Sequence, residues 1–193
     1  MASQVNNIVK CPFYPQCKKI DAEHDTYLTS LASSADPILA MVYGSDSNKI
    51  DVHQRHLGRV ALDGIVQRLR AHWNDAMNLP FADFEELHEW VRTVIIAGQF
   101  MNAWLLNYDI ALRIAYCYRK NLLPQTNIYL HADPLKAACH LAGLVGDKLG
   151  SKDNVVQEPF LPMIFDCGNC NPRLKEHVLC RLYEDAMKIK SWP

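Results

Sequence analysis

The chain has no surplus of charge, no apolar run long enough to cross a bilayer, no low-complexity tract and no internal repeat beyond two copies of Ala-Asp-Pro. Its 20 basic and 21 acidic side chains leave a net charge of −1. A general attraction to phosphate backbones through bulk positive charge is therefore excluded, and any nucleic-acid contact has to come from a local patch. The longest apolar stretch, Ala103 to Tyr118, is interrupted by Asn107, Asp109 and Arg113 and falls short of the roughly 20 residues a membrane helix needs. A core helix is expected there, and no membrane. The opening MASQVNNIVKCPFYPQCKK lacks a basic segment followed by an apolar one, which predicts a cytoplasmic address rather than secretion. In such a compartment the seven cysteines are expected to be reduced thiols or metal ligands.

What is present reads as an ordinary globular helical protein. Apolar residues make up 49% of the 193 and charged ones 21%, enough to build a core without staples. The expected fold is all-α, a compact multi-helix domain spanning residues 1–193 around a central buried helix, with little or no strand. A Cys-bearing N-terminal segment, residues 1–19, would dock on the CGNC loop.

Ile20 to Ser33 alternates apolar and polar residues at helical spacing. Asp36-Pro37 then provides an N-cap and a first helical position, and Gly44 a stop. From Asp51 to Asn78 the residues Leu57, Val60, Ala61, Ile65, Leu69 and Trp73 recur as one stripe of a long amphipathic helix. Leu79-Pro80 breaks that helix, and Asp83 with Glu86 resembles a capping box opening the next, which Gly98 would end. Met101 to Tyr118 is apolar nearly all round, as a central helix should be. Residues Leu123 to Leu130 suggest one short strand or an extended connector, followed by a helix from Pro134 to Leu144. Asn171 and Pro172 start a last helix reaching Ile189.

Several groups could carry chemistry. Cys11 and Cys17 in CPFYPQC, with Cys167 and Cys170 in CGNC, could place four thiolates about 2.3 Å from one zinc ion. The alternatives are free thiols or a redox pair, since CGNC directly precedes a helix N-terminus that would stabilise a thiolate. Cys117 and Cys139 lie on apolar helices and read as core. Asp109 and Arg113 stand four residues apart on a buried helix. Either they form an ion pair that satisfies two core-facing charges, or Tyr108, Asp109 and Arg113 line a pocket in which Arg113 grips a carboxylate or phosphate. His131 follows the extended segment and could act near neutral pH, while Asp133 is a candidate catalytic group or simply a helix cap. The face bearing Arg55, His56, Arg59, Arg68, Arg70 and His72 is locally basic, although Asp63 and Asp75 dilute it. As a phosphate-binding stripe it would draw on further donors such as Arg113, Arg119 or Lys120.

From Leu79 onward, LPFADFEELHEWV, YDIALRI, IYLHADPLKAA and LKEHVLCRLYED resemble an uncharacterised bacterial protein family with a YDxALRI helix, a YLHAG turn and a Cys-bearing terminal helix. This chain carries Asp133 where that turn has Gly. The rhythm of IYLHADPLKAACHLAGL is also distantly similar to helix-hairpin-helix DNA glycosylases, without their Gly-rich hairpin. That similarity implies a domain acting on or binding nucleic acid, with His131, Asp133 and Asp109 as polar pocket groups. The competing expectation is a non-enzymatic helical protein stapled by zinc and acting through a protein partner.

Overall fold

The computed structural model describes residues 13–45, 49–51, 54–97, 104–125, 127–144, 149, 155–157 and 171–190. Over these the chain is all-α, and the strands among them are two three-residue segments. No helix among the described residues is long and apolar enough to cross a membrane.

Helix α1 spans Tyr14–Ala32 and α2 spans Pro37–Tyr43. The start of α2 is dictated locally, because the Asp36 carboxylate accepts from the Leu39 amide at 3.1 Å and Pro37 takes the first turn. Gly44, at φ 66°, ends it in the left-handed conformation, with its N–H on the Ala40 carbonyl. The long helix expected from Asp51 to Asn78 is instead three pieces, a 3-10 turn at Arg55–Leu57, α3 at Arg59–Ala71 and α4 at Trp73–Asn78. Gly58, at φ 78° and ψ 151°, separates the first two, and His72, at φ −106° and ψ 16°, the second two. The break at Gly58 moves Val60 off the expected stripe, and it stands 88% exposed. Leu62, Ile65, Val66 and Leu69 form the buried face of α3.

Helix α5, Phe84–Trp90, opens as its sequence suggests, with the Asp83 carboxylate accepting from the Glu86 amide at 3.0 Å. Glu86 reaches back to the Ala82 amide at 2.8 Å, one residue earlier than in a standard capping box. A π-helical stretch, Val91–Ile96, continues it to Ala97, which ends the run at φ 51°; Gly98 lies outside the described residues. Helix α6, Trp104–Tyr118, is the buried helix anticipated in this region, with Ile110, Ala111, Ile114 and Ala115 inaccessible to solvent. A 3-10 turn at Lys120–Leu122 follows. Strand β1, Asn127–Tyr129, then pairs antiparallel with β2, Val155–Gln157, Ile128 facing Val156 in register. Helix α7 runs over Ala132–Leu144, starting two residues before the expected Pro134. The terminal helix has the expected cap, Asn171 accepting from the Leu174 amide at 2.9 Å, but Leu182, at φ −111°, divides it into α8, Pro172–Arg181, and α9, Tyr183–Lys188.

The contact pattern groups the chain into two compact units, His24–Leu123 and a unit built from both chain ends, Met1–Glu23 with Pro124–Pro193. In the first, α6 packs with α2 and α5, and α2 with α3; Phe84 meets Tyr108 edge to face at 5.9 Å. In the second, Phe13, Cys17 and Ile20 join Ile128, Leu130, Ala137, Ala138, Leu141, Leu174, Val178 and Leu179 in one core. Asp21 accepts from Arg173 at 2.9 Å beside that core.

Candidate functional site

The Asp109 and Arg113 pair forms as one of its two expected readings required. Arg113 Nη2 lies 3.3 Å from Asp109 Oδ2 and Nη1 donates to the Met41 carbonyl at 3.0 Å. Burial works against the guanidinium charge, but Asp109, Tyr27 and Asp51 together outweigh it and raise its pKa. Tyr27 donates to the Gly44 carbonyl at 3.1 Å, and burial raises the pKa of its hydroxyl although Arg113 pulls the other way. A side chain at position 44 would place its Cβ 2.7 Å from Arg113 Nη2 and 2.9 Å from the Tyr27 hydroxyl. Gly44 is thus required by its backbone angle and by the guanidinium packed over it. Gln54 completes the network by donating its Nε2 to Asp109 Oδ2.

Tyr108 and Arg113, expected as pocket-lining residues, are 2% and 4% exposed. They sit inside the unit, Tyr108 against Phe84 and Arg113 on backbone and carboxylate. Arg119 is also committed to the fold. Its guanidinium donates to the carbonyls of Ala76, Met77 and Leu79 at 2.9 to 3.0 Å, satisfying the C-terminal end of α4. Cys117 is half-buried rather than in the core, its thiol 3.4 Å from the Leu28 carbonyl and pushed up to about 11 by burial, and Cys139, also expected in the core, is exposed on α7.

His131 and Asp133 fall in the other unit. His131 is 7% exposed and stands directly before Ala132, whose φ of 47° is unusual for a non-glycine residue. Asp133 lies inside the first turn of α7 rather than at its cap, because the helix begins at Ala132, and its carboxylate accepts from Lys136 Nζ at 2.9 Å. It edges a polar depression of about 340 Å³ whose wall runs from Cys180 to Asp185. Of the four expected zinc ligands, Cys17 is 3% exposed in the apolar core, while Cys11, Cys167 and Cys170 lie outside the described residues. Among the described residues no group of three His, Cys, Asp or Glu side chains converges as a metal would require.

The basic face of α3 divides into two ends. Near its C-terminus Arg70 pairs with Asp36 at 2.7 Å and His72 with Asp75 at 3.0 Å. At its N-terminus Arg55, His56 and Arg59 are all exposed around Gly58, the first turn holds no acidic residue, and no side chain caps it. Arg59 lies over the Tyr43 ring at 5.7 Å, and Tyr43 donates to Asp63 one turn further along. In the sequence all six basic residues fall on one stripe; the break at Gly58, visible there only as a glycine, is what gathers three of them about a helix end.

Compared with models of protein families, with curated proteins and with solved structures, the chain matches none.

Proposed function

We propose that the protein binds nucleic acid through its phosphate backbone, with Arg55, His56 and Arg59 about the N-terminus of α3 as the contact. The observation that carries this reading is the electrostatics of that end. A helix N-terminus bears about half a positive charge and favours acidic side chains; α3 has none in its first turn and sets basic ones around it instead. An anion relieves this repulsion and accepts from the amides that have no intrahelical partner. The groups are exposed on a surface turn, an arrangement suited to the phosphates of an extended polymer. The reading is of binding, and it gives Asp109, engaged by Gln54 and Arg113, no chemical step.

A labelled duplex titrated at several salt concentrations tests it. Affinity should fall with salt at a slope of about −0.9 per phosphate contacted, and the Arg55→Ala/Arg59→Ala variant should lower that slope by about 2. Arg70→Ala, whose guanidinium is paired with Asp36, should leave it unchanged. No binding at low salt, or an unaltered slope in the double variant, would defeat the proposal.

A further inference from the structure

Among the described residues from 49 to 61, Gln54 alone is buried, at 1% exposure, in a segment whose other members are exposed or half-buried. It immediately precedes the 3-10 turn at Arg55–Leu57. Its main chain ties in both directions, the Leu57 amide donating to the Gln54 carbonyl at 3.0 Å and the Gln54 amide to Asp51, whose own amide reaches the Tyr43 carbonyl at 2.8 Å. Its side chain crosses to α6 and donates to Asp109, the carboxylate that also holds Arg113. The orientation of the amide is fixed chemically, because turned over it would set oxygen against carboxylate oxygen. Gln54 Oε1 is buried with no hydrogen-bond partner among the described residues. An apolar side chain could fill the same space without that unsatisfied oxygen. What the glutamine adds is one directed bond to one carboxylate.

We propose that Gln54 and Asp109 are positioning residues for the phosphate-binding turn, holding Arg55, His56 and the start of α3 in place from the interior. This rests on the phosphate reading above. The two basic side chains gain little from being near a phosphate unless the turn that bears them keeps its shape, and the described segment offers no other buried side chain to hold it.

The test removes the donor from the bond. Gln54→Glu puts a second carboxylate against Asp109, with Asp51 and Tyr27 adding negative or neutral neighbours and Arg113 the positive one. The turn should loosen, so that the Leu57 and Gly58 amides, which close it, exchange about 10-fold faster. Duplex binding near neutral pH should weaken by about 10-fold. Both effects should recover below about pH 5, where paired carboxylates share a proton and one again donates. Gln54→Met, which keeps the volume and drops the donor, should shift exchange and binding in the same direction if the Glu variant does not fold. Unchanged exchange at Leu57 and Gly58 in these variants, or no recovery of the Glu variant below about pH 5 relative to the parent at the same pH, overturns the anchor. Exchange that responds as stated while Arg55→Ala/Arg59→Ala binds like the parent overturns the phosphate reading instead, and the positioning role falls with it.

Discussion

Two acid-base pairs one helical turn apart, Asp109 with Arg113 on α6 and Asp133 with Lys136 on α7, have similar sequence spacing and differ in almost everything else. The first is 14% and 5% exposed at its side chains, the second 55% and 64%. The contact is shorter in the exposed pair, 2.9 Å against 3.3 Å, so distance does not rank them. Burial does. A charge kept from water has no substitute for its partner, whereas an exposed one exchanges it for solvent. The buried pair also has third parties, the Met41 carbonyl and Gln54, that make it a junction between α2, α6 and the turn before α3.

The largest effect is expected from breaking the junction. Arg113→Met removes the cation from a carboxylate that remains partly buried and leaves the Met41 carbonyl without its donor, for a loss of about 3–5 kcal/mol. Urea unfolding followed by far-UV dichroism measures it; a loss below about 1 kcal/mol would erase the distinction between the two pairs.

His88 sharpens the comparison by showing what burial does to a group that titrates. It is 9% exposed, and desolvation is the largest influence on it, lowering its pKa to about 4, with Glu89 opposing and Arg92 assisting. The free imidazole binds its proton near 6.5, so between these values the unfolded chain is the better proton acceptor. Stability should therefore be full above about pH 6.5 and decline by about 3 kcal/mol as pH falls toward 4. Unfolding free energies across that range should show the decline in the parent and a flatter profile in His88→Leu. An equal slope in both would assign the acid sensitivity elsewhere.

How much of this was legible in the sequence follows from the range of the interactions. Asp36-Pro37, Asp83 and Asn171-Pro172 act within three residues, so their caps could be read directly. The Asp109 and Arg113 pair was open to the same reading, being four residues apart on one helix. The breaks at Gly58 and His72 were not, because the apolar stripe of α3 outlasts them in sequence while the backbone turns away. The bonds from Arg113 to Met41 and from Gln54 to Asp109 cross 72 and 55 residues; no local spacing encodes them. For Arg113 both an ion pair and a pocket stay open in the sequence, because a polar group in an apolar helix has two explanations. Only its three-dimensional neighbours choose between them.

The exposed pair should give the smallest effects, and their order separates ion pairing from the helix dipole. Asp133 sits in the first turn of α7, where its charge is favoured by the helix N-terminus whether or not Lys136 is present. Lys136 one turn further has the sign that this end disfavours, so its pairing with Asp133 is offset by its position. Asp133→Asn should therefore lower the urea midpoint more than Lys136→Gln, and both differences should vanish near 1 M salt, where screening reaches about 3 Å. A Lys136→Gln loss that survives high salt, as the loss from Arg113→Met should, would mean that the surface pair is held by more than its two charges, and burial would no longer be what divides the pairs.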